Sequence, residues 1–93
     1  MKTQILKSIA EIQPTFEHYF EGANSSTSSH SVEFTNDSFT YNLTIKETVV
    51  LDEFKEDYNT TYVWVHNFET FDLFGNVTDL DITDSEILKA LNL

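Results

Sequence analysis

Residues 39–46 alternate large apolar and polar side chains without interruption, reading Phe-Thr-Tyr-Asn-Leu-Thr-Ile-Lys. This period of two is typical of a half-buried β-strand. A second run, residues 62–68, is rich in the β-branched and aromatic residues that pack well on a pleated sheet. Two long strands joined by a polar interval predict an antiparallel hairpin, and we expect the rest of the chain to cover it.

Both ends of the chain carry helical patterns. Apolar residues recur at helical spacing over residues 3–13, which predicts an amphipathic helix. Pro14 is expected to stop or kink this helix, and the aromatic residues after it predict a further helical turn or two. Near the other end, Thr83 and Glu86 fit a capping box, which predicts a short closing helix.

The whole pattern predicts one small α+β domain, because 93 residues leave little room for a second core. We expect an N-terminal helix, a four-stranded antiparallel β-meander and a short C-terminal helix, with both helices on one face of the sheet. A bulge is expected near Glu69. The fourth strand is expected over residues 77–82, at an edge. The predicted parts are a helical start (1–21), a Ser-rich linker (22–30), the meander (31–82) and the closing helix (83–93).

Charge is the compositional feature that most restricts function. Sixteen Asp and Glu oppose five Lys, there is no Arg, and the net charge is −11. Nucleic-acid binding needs basic residues that displace counterions from phosphates, and an anionic membrane surface repels an acidic protein. We therefore expect neither direct nucleic-acid binding nor membrane binding, and we predict a partner protein with a basic face.

The sequence offers no recognisable catalytic or metal site. The absence of cysteine removes thiolate chemistry and favours a cytoplasmic setting. The three histidines are too scattered to show metal-ligand spacing. The alternating aspartates from position 79 lack the glycine and glutamate of an EF-hand, because those positions hold Asp84 and Ala90. We expect no cofactor and no enzymatic activity.

The strongest candidate for a binding site is a set of carboxylates in and around the interval between the two long strands. Strand residues two apart lie about 6.6–6.8 Å apart on one face, and each nucleic-acid strand carries a phosphate about every 3.4 Å. A rigid row of carboxylates can therefore occupy a groove built for phosphates. The predicted acidic site comprises Glu47, Asp52, Glu53, Glu56, Asp57, Asp79 and Asp81.

Tyr62, Trp64 and Phe68 support two interpretations of the second long strand. In the first, which we take as the expectation, they form the core face beneath the helices. In the second, they form an exposed aromatic strip while Val63 and Val65 face the core. Trp and Tyr are enriched in interface hot spots, so an exposed strip would predict a partner or a homo-oligomer.

In size, acidic charge and predicted order of elements, the chain resembles small phage or mobile-element proteins, including acidic inhibitors of DNA-binding host defences. The resemblance implies an inhibitor that mimics nucleic-acid charge. Our leading hypothesis is therefore a non-enzymatic protein-binding module directed at a DNA- or RNA-binding protein. The alternative is a structural or assembly protein, such as a homo-oligomer or virion component, that uses the aromatic sheet face.

Overall fold

The computed structural model describes residues 2–51 and 59–93. Within these residues the fold is α+β, with two helices flanking a three-stranded antiparallel sheet of order β1-β2-β3. The elements are α1 (Lys2–Ala10), β1 (Ser25–Thr35), β2 (Thr40–Leu51), β3 (Asn59–Phe71) and α2 (Asp84–Ala90).

The β1–β2 hairpin begins from a turn that the sequence predicts correctly. Asn36 Oδ1 accepts hydrogen bonds from the backbone N–H groups of Ser38 (2.7 Å) and Phe39 (2.9 Å). An asparagine side chain that bonds its own backbone two residues on is a turn-forming device. Pairing then runs from Thr35 opposite Thr40 to Ser25 opposite Val50.

The expected Ser-rich linker over residues 22–30 is wrong for residues 25–30, because β1 begins at Ser25 instead of residue 31. Every residue of β1 pairs with β2, so a long-range partner supplies the hydrogen bonds that the local composition does not predict. Side chains add to this pairing, since the hydroxyls of Thr27 and Thr48 lie 2.7 Å apart.

The expected fourth strand over residues 77–82 is also wrong. One isolated bridge joins Phe71 to Val77, and the backbone N–H of Thr78 donates to the carbonyl of Thr70 at 2.9 Å. The segment after Thr78 forms no further ladder in the described residues, and the Ile82 N–H donates to the carbonyl of Leu80 in the same segment. The described sheet therefore has three strands.

The helical turns expected after Pro14 do not form, and residues 12–20, which we call the strap, run outside any helix or strand. Exposure alternates along the strap, with half-buried Ile12, Phe16 and His18 separated by exposed residues. Phe16 and Phe20 fit both helical spacing and a period of two, and packing against the sheet selects the period of two, which leaves Tyr19 exposed.

The bulge in β3 lies at His66 and not near Glu69. Thr44 pairs with Asn67 and Ile45 with Val65, so β3 has one residue more than β2 at this point. One extra residue reverses which face the following side chains occupy. Trp64 and Phe68 therefore lie on opposite faces of the sheet.

The core lies on one face of the sheet, towards the end where the helices pack. α1 contacts α2, and α2 contacts β3. The predicted capping box is confirmed, because the Thr83 side chain accepts from the Glu86 N–H while the Glu86 side chain accepts from the Thr83 N–H. The buried apolar side chains are Ile5, Ile9, Phe39, Tyr41, Leu43, Ile45, Ile87 and Leu91.

Candidate functional site

The residues of the predicted acidic site are divided among different parts of the chain. Asp52, Glu53, Glu56 and Asp57 lie outside the described residues. Glu47 lies on β2, and Asp79 and Asp81 follow β3.

The three described members of that site lie near different ends of the sheet. Tyr41 of β2 pairs with Thr70, and Thr70 is hydrogen-bonded to Thr78, so Asp79 lies near the Tyr41 end. Glu47 is six residues further along β2, which at the rise of a strand is about 20 Å. The structure therefore does not bring Glu47 together with the two aspartates.

The Glu47 carboxylate binds the strap. Its Oε1 atom lies 2.8 Å from His18 Nε2, and the two side chains retain only 19% and 12% of their exposure. Two further hydrogen bonds tie the strap to β1, from the Glu17 N–H to Ser28 Oγ and from the Thr15 N–H to His30 Nδ1. Glu47 thus holds the strap on the covered face of the sheet.

Most other described carboxylates face solvent. Of the twelve in the described residues, nine are exposed, three are half-buried and none is buried. Among these residues, one carboxylate pairs with a lysine: Lys2 Nζ lies 3.1 Å from Glu86 Oε2. The exposed carboxylates belong to Glu11, Glu17, Glu21, Glu33, Asp37, Glu69, Asp79, Asp81 and Asp84.

The molecule is elongated, which spreads this charge along one axis. Its principal-axis extents are 52 × 22 × 19 Å and its radius of gyration is 15.9 Å. A compact domain of this length has a radius of gyration of about 12 Å. The long β2–β3 hairpin accounts for the difference, since most core residues gather at one of its ends.

The face of the sheet opposite the strap, which we call the outer face, exposes two of the three aromatic residues singled out in the sequence. Tyr62 and Trp64 keep 57% and 38% of their exposure and lie opposite Thr48 and Lys46. Phe68 lies on the covered face and packs against the core. Val63 and Val65, not Tyr62 and Trp64, occupy the core side of β3.

A tight turn after β3 carries exposed apolar side chains that the sequence does not single out. Leu73, Phe74 and Val77 are 66%, 88% and 74% exposed, and we call them the apolar knob. The sequence indicates only a turn at Gly75, which adopts a left-handed φ of 81°. The missed signal is the placement of large apolar residues immediately beside a turn-forming Asp and Gly.

The Asp72 carboxylate organises this turn. Its Oδ1 atom accepts hydrogen bonds from the backbone N–H groups of Phe74 (2.8 Å) and Asn76 (2.9 Å). Its Oδ2 atom accepts from Asn76 Nδ2 at 3.3 Å. These bonds, above all that from the Asn76 N–H, hold the pKa of Asp72 below its ordinary value of 3.8 because they favour the ionised carboxylate.

A pocket of about 470 Å³ lies beside the apolar knob. Its apolar walls come from β3 and from the segment that follows the turn, and two carboxylates line it as well. The apolar residues are Phe68, Val77, Leu80 and Ile82, and the acidic ones are Glu69 and Asp79.

Comparisons with known proteins give no family. No family model matches the chain, and no curated protein or solved structure is significantly similar to it. Among residues 2–51 and 59–93, no group of three or more metal-ligating side chains is placed to hold an ion. No helix in the same residues has the length and apolar character needed to cross a bilayer.

Proposed function

We propose that this protein is a non-enzymatic protein-binding module that presents carboxylates to the nucleic-acid-binding groove of a basic protein. The observation that carries the proposal is the exposure of nine carboxylates on an elongated body with a net charge of −11. Such a surface attracts a basic groove over a long range and steers its approach.

The density of charge supports one form of the proposed partner groove over another. Eleven net charges over 52 Å correspond to about one charge per 5 Å. A duplex carries about one per 1.7 Å and a single strand about one per 3.4 Å. The density is therefore closer to that of one strand, and we propose a partner groove that follows a single strand or one backbone of a duplex.

The inhibitory role and an origin in a phage or mobile element are part of this proposal. They rest on the resemblance in size, charge and element order to acidic inhibitors. A cytoplasmic setting is proposed on the same footing, since nucleic-acid-binding partners work there.

The test is affinity capture from a lysate of the organism that encodes the chain, at 0.05 M and 1 M NaCl, with bound proteins identified by mass spectrometry. We expect a basic nucleic-acid-binding protein that elutes with salt, because screening shortens from about 10 Å at 0.1 M to about 3 Å at 1 M. Excess single-stranded DNA or RNA should displace it. A partner retained at high salt and unaffected by nucleic acid would contradict charge mimicry.

Two charge-reversal variants, each measured for binding to the purified partner, then show which carboxylates of this chain make the contact. The first replaces Glu53, Glu56 and Asp57 by Lys, within the acidic interval predicted from the sequence. The matched control replaces Glu11, Glu21 and Glu33 by Lys, which changes the net charge equally. We expect a larger loss of affinity from the first variant. If the first variant binds the partner as tightly as the unmodified chain does, the acidic interval is not the binding site.

A second candidate function, a structural or assembly protein, is favoured by the exposure of Tyr62 and Trp64 on the outer face. Trp64→Ala should abolish assembly if this face holds copies together. If the protein acts by charge mimicry, the same variant should leave partner binding intact. Size-exclusion chromatography with light scattering, read beside the capture experiment, separates the two functions.

A further inference from the structure

The segment after the turn at Gly75 begins to pair with the free edge of β3 and then leaves it. Val77 bridges Phe71 in antiparallel orientation, and the Thr78 N–H donates to the Thr70 carbonyl at 2.9 Å. These contacts fix the register, because in an antiparallel pair each step forward on one strand is a step back on the other. The residues after Thr78 therefore have a defined place on β3 that they do not occupy.

The fixed register places two carboxylates opposite each other where the pairing stops. One step beyond Thr70 and Thr78, Glu69 faces Asp79. Hydrogen-bonded and non-hydrogen-bonded pairs alternate, and the bond between Thr78 and Thr70 makes theirs the hydrogen-bonded one. Glu69 and Asp79 therefore fall on a non-hydrogen-bonded pair, where side chains approach most closely. Like charges directly opposite destabilise strand pairing, so this pair opposes the next step of the ladder.

Neither carboxylate is neutralised by a basic side chain. The ion pairs in the part of the chain that the structure describes join Lys2 to Glu86 and His18 to Glu47. Glu69 and Asp79 are both exposed, so solvent weakens their repulsion without removing it. A single bridge is a marginal pairing, and a modest repulsion is enough to stop it from growing.

The other side chains of the segment favour closure. In the same register Leu80 lies opposite Phe68, and both side chains already pack against the core. The Thr78 hydroxyl donates to Thr70 Oγ1 at 2.9 Å, which places that side of the segment on the covered face. The pocket of about 470 Å³ lies between β3 and this segment, in the space that an extended ladder would fill. The obstacle to closure is thus confined to the acidic pair.

We propose that residues 77–80 are a strand poised to close on β3, held open by the repulsion between Glu69 and Asp79. Removing either charge extends the ladder by one hydrogen-bonded pair, in which the Leu80 N–H donates to the Phe68 carbonyl. Closure fills the pocket and covers the edge of β3 at Phe68. The bulge at His66 limits the extension, because it interrupts the regular edge just beyond this pair.

The test is NMR spectroscopy of the full chain and of Glu69→Gln, Asp79→Asn and the double variant. Closure brings the α-hydrogens of residues 69 and 79 together, so a nuclear Overhauser effect between them should appear in each variant. Exchange of the Leu80 N–H should slow by about fivefold, the size of a strong cross-strand interaction. The double variant should slow it little further than either single one, because the repulsion needs both charges.

Two results would overturn the proposal. One is a Leu80 exchange rate that stays the same in both single variants. The other is a strong Overhauser effect between residues 69 and 79 in the unmodified chain, which would show that the charged pair does not hold the segment open. Circular dichroism should show unaltered folding in all variants, since both substituted side chains are exposed.

Glu33→Gln is the matched control for net charge. Glu33 is exposed on β1, and Asn42 of β2 separates it from Glu69 in the sheet. The variant loses the same charge without touching the acidic pair, so the Leu80 exchange rate should not change. Equal slowing by Glu33→Gln would assign the effect to overall charge and contradict the proposed pair.

Engineered cysteines test the register, since the natural chain has none. A closed non-hydrogen-bonded pair has Cα atoms about 4.5 Å apart, within the range of about 4.4–6.8 Å that a disulfide spans. The chain with Glu69→Cys and Asp79→Cys should therefore form its internal disulfide faster than the chain with Glu69→Cys and Asp81→Cys. Equal rates would contradict closure in this register. The inference concerns this chain alone and does not rest on the proposed function.

Discussion

Asp72 shows how one side chain can determine what a surface displays. Its carboxylate accepts two backbone N–H groups, and Gly75 supplies the left-handed residue that the turn needs. Because those N–H groups are satisfied locally, the chain reverses after β3 with Leu73 and Phe74 outside the core. The exposure of the apolar knob thus depends on the hydrogen bonds that the Asp72 carboxylate accepts.

For this residue we predict that the carboxylate titrates at a lower pH than an ordinary aspartate does. Its pKa is lowered, so its contribution to stability is present above the unfolded value and is lost as pH falls through the folded value. Carbon-detected NMR should place its titration below 3.8, and Asp72→Ala should speed hydrogen exchange at the Phe74 N–H. Asp79→Ala, at an exposed position in the next segment, should leave that exchange rate unchanged. A titration of Asp72 at or above 3.8 would refute the arrangement.

The strap is the element that a local pattern could not predict. It continues from α1 across Pro14 and lies on the covered face, where His18 reaches Glu47 and the Phe16 ring packs edge-on against His30. The strap has no ladder of backbone hydrogen bonds, so side-chain contacts hold it in place. Glu47, a candidate for partner binding in the sequence, therefore has a structural role.

For this element we predict that Glu47→Ala destabilises the fold by about 1–3 kcal/mol, because it leaves a half-buried histidine nitrogen without its partner. Urea unfolding followed by circular dichroism measures the change. Glu33→Ala, on an exposed position of β1, should alter stability by no more than about 0.5 kcal/mol. Matching unfolding midpoints for the two variants would show that His18 does not anchor the strap through Glu47.

The net charge acts on the molecule as a whole. Sixteen acidic residues and five lysines give a surface that repels itself, and such repulsion disfavours the folded state. The ion pair of Lys2 with Glu86 is partly exposed and offsets little of this repulsion.

We therefore predict that the protein becomes more stable as NaCl rises from 0.01 M to 0.5 M, because salt screens the repulsion among its carboxylates. A gain of about 1 kcal/mol corresponds to a rise of about 4–8 °C in the thermal midpoint of a domain this size. The variant with Glu11, Glu21 and Glu33 all replaced by Gln has three fewer charges and should gain less. A midpoint that falls with salt would show that attractive pairs outweigh the repulsion.

Local signals and long-range pairing contributed differently to what could be predicted. The Asn36 turn, the Thr83 capping box and the presence of a helix before Pro14 were predicted correctly, because each depends on contacts within a few residues. The helix itself ends at Ala10 and not at residue 13. The Ser-rich part of β1 was not, because its hydrogen bonds come from β2, a partner about twenty positions away. The face of the sheet on which Trp64 lies could not be predicted either, since a single bulge at His66 reverses the alternation of side chains along β3.

The sequence by itself determined the α+β class, the long β2–β3 hairpin, the capped start of the closing helix and the strongly acidic composition, because composition and local hydrogen bonding act without the rest of the fold. Only the tertiary structure decided that Glu47 binds the strap, that Tyr62 and Trp64 face outward, and that Val77 of the exposed turn lines a pocket. These features depend on strand register and on distant segments that meet in space, and a one-residue shift in register exchanges the two faces of a strand.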